Sequence, residues 1–312
     1  MVLLPTTDID VSSLCLGGNT WGWTSDRRTS YAVLDSFVDG GGTFVDTADV
    51  YPAWVPGNLG GESESILGGW LQARGSRDRI IIATKVGRHP RRPTLTRESI
   101  VDGVEGALRR LGTDHIDLYY AHADDPSTPL EETVSAFAEV IAAGKVRAVG
   151  ASNYGAARLA EALRIADGIA VPRYVAIQPN YSLMVRNEFE GPLVELCLAE
   201  QVGCMPYYSL ASGFLTGKYS SSEDATGVAR SKGVSEHATD RGFRVLDVVR
   251  EVAHEHGCAP ATVALAWLRA QPGVIAPIAS ASRPDQVADL IAAMSLDLTP
   301  DDLTRLDEVS RP

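Results

Sequence analysis

Basic charge is in short supply. The chain has 28 Lys plus Arg against 40 Asp plus Glu, a formal net charge of −12 with histidines neutral. A protein that coats nucleic acid or anionic lipid needs a basic face, so neither partner is expected. Cysteine is scarce: Cys15, Cys197, Cys204 and Cys258 lie far apart with no C-x-x-C pair, which argues against a disulfide framework and a thiolate zinc site. No apolar run approaches the roughly 20 residues of a membrane span. Met1 to Leu14, with Asp8 and Asp10, has neither the basic start nor the apolar stretch of a signal peptide. These shortages describe a reduced, cytoplasmic protein.

Familiar signatures are missing too. Gly17-Gly18, Gly40-Gly41-Gly42, Gly60-Gly61 and Gly68-Gly69 do not build G-x-G-x-x-G, so a Rossmann dinucleotide site is not expected. Walker A, G-x-S-x-G and H-E-x-x-H sequences do not occur. His254 and His256, two apart on a predicted helix, face different ways and read as surface residues. No metal site is expected, since a metal-dependent barrel hydrolase would want a histidine pair with strand-end carboxylates.

What is present is a repeat in a composition typical of globular proteins, 45% hydrophobic and 22% charged. Short β-prone runs occur at Leu14–Leu16, Thr43–Val45, Ile80–Ala83, Ile116–Tyr120, Val146–Val149, Tyr174–Ile177, Cys204–Pro206 and Val274–Ile278. Between them lie amphipathic segments beginning near Arg28, Glu62, Thr96, Leu130, Tyr154, Asn187 and Arg241, and another at Ala259–Arg269. Thr96 is placed to cap its helix, while Gly112 and Gly144 are placed to end theirs. Eight βα units without a composition break predict an α/β fold, a (β/α)8 TIM barrel in a single domain over 1–312, ahead of an open doubly wound sheet. The polar stretch Ser220 to Asp240 reads as a mobile loop, with a lid as the functional alternative. The acidic tail, 284–312, reads as a helical appendage with helices at Pro284–Met294 and Pro300–Val309.

In a parallel barrel the C-terminal strand ends converge on one mouth. Asp46 follows the second strand in F-V-D-T-A-D-V-Y, with Tyr51 five residues later; Lys85 follows the third and His122 the fourth. One polar residue after an apolar run means little, but four in series point to chemistry. The types suit proton transfer to a carbonyl oxygen during hydride delivery. A tyrosine, with an unperturbed pKa of about 10, is expected to become more acidic beside Lys85, with Asp46 holding the ammonium in place. His122 can orient the carbonyl and stabilise charge developing on its oxygen.

The sequence resembles the aldo-keto reductase family over nearly its whole length. The resemblance rests on F-V-D-T-A-D-V-Y (44–51), G-G-E-S-E (60–64), the Lys85 and His122 contexts, G-K-V-R-A-V-G-A-S-N-Y (144–154), Q-P-N-Y-S (178–182) and S-G-F-L-T-G-K-Y (212–219). It implies a (β/α)8 barrel, a nicotinamide cofactor extended across the mouth, and a tetrad of Asp46, Tyr51, Lys85 and His122. It further implies that Ser152, Asn153 and Gln178 hold the carboxamide beside Asp46, and that Tyr207 stacks on the nicotinamide. Gly18 and Asn19 join the cofactor set. So do Tyr208, Ser209 and the pyrophosphate segment Leu210 to Lys218, in which Ser212, Gly213 and Lys218 are singled out.

Where relatives often read Y-S-P-L, Ser209 replaces the proline. In I-A-S-A-S-R-P-D-Q-V-A-D-L (278–290), Ser280 stands where relatives usually have glycine or lysine, and Leu290 where an asparagine reads the adenine. Ser282, Gln286 and Asp289 keep the pattern of one branch, and Arg283 is the cation available to a 2′-phosphate. NADP(H) is favoured, with NAD(H) as the alternative. Trp21, Trp23 and Trp54 are predicted to wall a pocket for a small aldehyde, ketone or sugar-like carbonyl. The basic stretch Arg88 to Arg97 reads as a solvated loop, with attraction of an anionic substrate as the alternative. A second functional reading is a nicotinamide-binding regulatory protein similar to the channel-associated branch. Nothing in the sequence chooses between monomer and homo-oligomer.

Overall fold

Side chains two apart on a strand share a face, and that period decides what fills this protein's centre. The computed structural model describes residues 1–221, 223–225 and 231–312. A hairpin, β1 (Val2–Leu3) with β2 (Asp10–Val11), precedes eight parallel strands. These are β3 (Cys15–Gly17), β4 (Phe44–Asp46), β5 (Ile81–Val86), β6 (Ile116–Ala121), β7 (Val146–Ser152), β8 (Tyr174–Gln178), β9 (Gly203–Cys204) and β10 (Ile278–Ala279), with β10 paired to β3. The Ile275 amide donates to Cys204 O at 2.8 Å and the Ile278 amide to Pro206 O at 2.9 Å, so the last segment returns to β9 and the sheet closes into a (β/α)8 barrel. The last strand, predicted at Val274–Ile278, begins at Ile278 instead, because Pro277 has no amide to continue a ladder.

Two cores follow from the alternation. Phe44, Ala83, Leu118, Tyr120, Ala148 and Ala176 pack inside the barrel with Cys15, Met205 and Ile278. A side chain at Gly150 would meet the Tyr120 ring at 2.5 Å, so glycine there makes room for the ring. The hairpin plugs the bottom with Leu4, Ile9 and Val11. The larger core lies between sheet and helices: α1 (Arg27–Asp39), α2 (Glu62–Arg74), α3 (Arg97–Leu111), α4 (Leu130–Ala142), α5 (Ala156–Gly168), α6 (Pro192–Glu200), α7 (Ser231–Ser235), α8 (Asp240–Glu255), α9 (Pro260–Arg269), α10 (Val287–Ala292) and α11 (Pro300–Ser310). The α3 helix buries Ile100, Val104, Ala107 and Leu111 on one stripe, is capped by Thr96, and ends at Gly112 with φ +66°. The helix expected from Asn187 starts at Pro192, after Gly191 at φ +85°.

The expected loop at 220–240 contains a helical turn, Glu223–Ala225, and then α7, whose Val234 is buried. Ser222 and residues 226–230 lie outside the described residues. The tail is fastened rather than merely apposed. His256 and Asp302 meet at 2.9 Å, Trp267 Nε1 donates to Asp307 at 3.0 Å, and Leu306 is buried. His254 is exposed, but His256 is half-buried at this junction, a correction to its reading as a surface residue. Among the described residues, no helix is long and apolar enough to cross a membrane.

Candidate active site

The interior face that carries Phe44 and Ala83 deeper in the barrel carries Asp46 and Lys85 two residues on, at the C-terminal strand ends. On β6 the same face runs through Leu118 and Tyr120 to His122, one residue past the strand. Tyr51 arrives from the turn after β4. Lys85 Nζ donates to Asp46 Oδ2 at 2.5 Å, Thr47 O at 2.8 Å and the Tyr51 hydroxyl at 3.3 Å. All three ammonium hydrogens are thereby directed. Gln178 Nε2 donates to Asp46 Oδ1 at 3.0 Å, so both carboxylate oxygens are held. The Tyr51 and His122 rings stand edge to face, 5.8 Å apart.

Burial sets the titration. It raises the Asp46 carboxyl, with Lys85 and Gln178 pulling it back. It opposes charge on Lys85, yet Asp46 and Tyr51 outweigh it and hold the ammonium above the usual lysine range. For Tyr51, burial pushes the hydroxyl above the usual tyrosine range, Lys85 pulls it down and Asp46 pushes it up again. The sequence predicted a more acidic tyrosine; the net shift is the reverse, because burying a phenolate costs more than an ammonium already facing Asp46 returns. Burial, then Lys85 and Arg88, push His122 well below the usual histidine range, leaving a neutral imidazole. Its Nδ1 is buried and without a partner among the described residues. The tautomer with its proton on Nε2 leaves no buried N–H unpaired.

The residues expected to hold a nicotinamide ring form one network beside Asp46. Ser152 Oγ donates to Gln178 O at 2.8 Å, Asn153 Nδ2 to Ser152 Oγ at 3.0 Å and to His122 O at 2.9 Å. The Tyr207 hydroxyl, pushed up to about 12 chiefly by burial, donates to Asn153 Oδ1 at 2.7 Å and closes the network across the mouth. Beyond it, Tyr208 is exposed at φ +53°, and Ala211, Ser212 and Gly213 are successively left-handed at φ +48°, +58° and +98°. Such runs are costly for residues with a Cβ and persist where the surrounding structure holds them. A Cβ at Gly213 would find only Lys218 Nζ, at 3.9 Å, so the turn leaves an open cradle with one cation beside it. Ser209 is buried beneath, its hydroxyl donating to Pro206 O; Leu210 is half-buried.

At the other end of the mouth, Ser280 Oγ donates to Asn19 Oδ1 at 2.7 Å. A Cβ at Gly18 would strike the Trp21 ring at 2.7 Å. Gln286 Oε1 accepts from the Ser282 and Arg283 amides at 2.8 and 3.2 Å. Arg283 is exposed and forks onto Asp285, so a 2′-phosphate would share it. The Asp289 side chain is exposed, whereas Leu290 is buried in the outer core. The donors, the aromatic face and the open turn fit a nicotinamide dinucleotide. Of the expected pocket residues, Trp23 and Trp54 pack edge to face at 5.7 Å, with Trp54 against Tyr51 at the same distance. Trp21 is fully buried behind Gly18, a correction: it supports the loop and does not line the wall.

Sequence reasoning missed a buried cluster behind the tetrad. Glu64 accepts from Thr84 Oγ1 and Arg110 Nε, both at 2.6 Å. Asp49 lies near it with Oδ1 unpartnered among the described residues. Burial and the Glu64 charge push the Asp49 carboxyl up to about 8. The G-G-E-S-E stretch contained Glu64, but only the fold brings Arg110 to it. Ser63 was missed likewise; it meets Thr47 at 2.7 Å and donates to Gly18 O at 2.8 Å, tying the loop after β3 to the one after β4.

The aldo/keto reductase family model matches residues 13–311. The chain is 32% identical to "Protein tas" of Escherichia coli (strain K12), covering 98% of this chain and 96% of that protein. It is 32% identical to "Putative voltage-gated potassium channel subunit beta" of Schizosaccharomyces pombe, over 98% and 92% of the two chains. It is also 32% identical to "Aldo-keto reductase YhdN" of Bacillus subtilis (strain 168), over 90% and 83%.

Proposed function

The chain belongs to the aldo/keto reductase family, and from that premise we propose that it is an NADP(H)-dependent enzyme reducing a small aldehyde or ketone to the alcohol. The observation that carries the reading is the direction of the Lys85 hydrogen bond. Because the Tyr51 oxygen accepts from Lys85, the phenol's own hydrogen is free to point into the mouth. Bound reduced nicotinamide supplies the hydride for the carbonyl carbon. Asn153, Ser152 and Gln178 orient the carboxamide, and Tyr207 offers a flat surface to the ring.

Tyr51 keeps its proton throughout the neutral range and gives it up only to a stronger base, the oxygen of a carbonyl receiving hydride. Lys85 stabilises the resulting phenolate, while Asp46 and Gln178 keep Lys85 in place. His122, neutral with Nε2–H toward the mouth, donates to the same oxygen. Arg283 and Lys218 are the cations proposed for the 2′-phosphate and pyrophosphate. The unbridged cysteines fit a reducing compartment, the cytoplasm.

The test is turnover of a carbonyl panel by wild type and Tyr51→Phe, with cofactor affinity measured alongside. Phenylalanine keeps the ring and loses the proton, so a kcat loss of about 10²–10⁴ is expected at unchanged cofactor affinity; full activity refutes the role. The similarity to proteins named as potassium channel subunits supports a second reading, a regulatory protein sensing cofactor occupancy. Oxidation of bound cofactor only once per protein would favour it.

A further inference from the structure

The basic stretch after β5 is not uniform. Arg97 forks onto Glu139, and Arg92 pairs with Asp102 at 3.1 Å, so these two are committed to neighbouring helices. Arg88 differs. It is exposed, and among the described residues no hydrogen bond or ion pair holds its side chain. It stands three residues beyond Lys85, past Gly87 at φ +104°, on the rim of the mouth. The His122 amide donates to Val86 O at 2.9 Å, so the neighbouring strand end places His122 two residues short of Arg88. The Arg88 charge acts on both His122 and Tyr207. Arg88 therefore leaves β5 at the strand ends that carry Lys85 and His122, with its guanidinium exposed.

We infer that Arg88 determines substrate specificity: the protein prefers carbonyl compounds that carry a carboxylate a few atoms from the C=O group, and Arg88 receives that carboxylate. The inference rests on the reductase reading and narrows its substrate class. A planar guanidinium with unused donors suits a carboxylate, which it can grip through two parallel hydrogen bonds. A second charge limits what such a site would take. Glu188, exposed and held by Asn180 Nδ2 at 3.2 Å, acts on Tyr207 with the opposite sign and disfavours a dianion. On a body of net charge −12, an exposed Arg88 without an acidic partner among the described residues is a local attractor for a single negative charge.

The experiment compares kcat/KM for 4-formylbenzoate and its neutral methyl ester, in wild type, Arg88→Gln and Arg88→Lys. Wild type should favour the carboxylate. Arg88→Gln should reduce that preference about ten- to a hundredfold, mainly through KM for the carboxylate, with partial recovery in Arg88→Lys. Raising salt should erode the preference in wild type more than in Arg88→Gln. A second measurement removes turnover: benzoate, which cannot be reduced, is titrated calorimetrically into each protein with NADP+ present, and Arg88→Gln should bind it at least about tenfold more weakly. The same preference ratio in wild type and Arg88→Gln, or benzoate binding that ignores the substitution, overturns the inference. If wild type reduces neither aldehyde yet binds benzoate through Arg88, the anion site stands and the reductase reading falls.

Discussion

Asp49→Asn isolates a single titration behind the tetrad. Asp49 is 6% exposed, one of its oxygens has no partner among the described residues, and Glu64 adds like charge nearby. The carboxyl is pushed from the ordinary 3.8 up to about 8, so the native state keeps a proton that the unfolded chain releases. The stabilisation from the protonated form is complete below the unfolded pKa and is lost progressively as pH rises to about 8. At about 1.4 kcal/mol per unit, the window of about four units is worth at most about 6 kcal/mol, because side chains relax around a new charge. Asparagine preserves the shape and cannot titrate. Urea unfolding of both proteins at about pH 5 and pH 8 should therefore show the variant gaining about 3–4 kcal/mol relative to wild type across the interval. A difference that stays constant within about 1 kcal/mol refutes the assignment.

Lys85→Met should cost about 10²–10⁴ in kcat and leave Asp46 with Gln178 as its polar partner, so the variant should also unfold at lower urea as pH rises and that carboxyl ionises. Arg283→Ala should raise KM for NADPH about tenfold while changing KM for NADH little, measured with either cofactor at saturating aldehyde; an equal effect on both would separate Arg283 from the 2′-phosphate.

Most of the barrel could be read from strand-sized apolar runs followed by amphipathic segments, because the spacing that buries a strand on both faces is local. The tetrad could be read for a related reason: strand period two carries Asp46, Lys85 and His122 to one end of one interior. The acidity of Tyr51 could not, since its sign depends on how deeply the hydroxyl is buried, a tertiary quantity. Trp21 and Trp23 look alike in sequence, yet one is enclosed behind Gly18 and the other half-buried against Trp54. The arginines of 88–97 share a composition, and only the arrangement of α3 and α4 shows which have acidic neighbours. Glu64 and Arg110 become partners only when α2 and α3 lie side by side. The displaced final strand was legible in Pro277, whose missing amide argues against a ladder.

The plugged bottom of the barrel would leave the proposed proton transfer a single door. Below Lys85 the interior is packed with Phe44, Leu118, Met205 and the hairpin residues Leu4, Ile9 and Val11 around the ring of Tyr120. On the proposed mechanism a phenolate left at Tyr51 would be reloaded from above, through the opening that substrate would enter and alcohol leave. Proton recovery and product departure would then be successive uses of one passage, and turnover slowed in heavy water would report that shared exit as well as the transfer step.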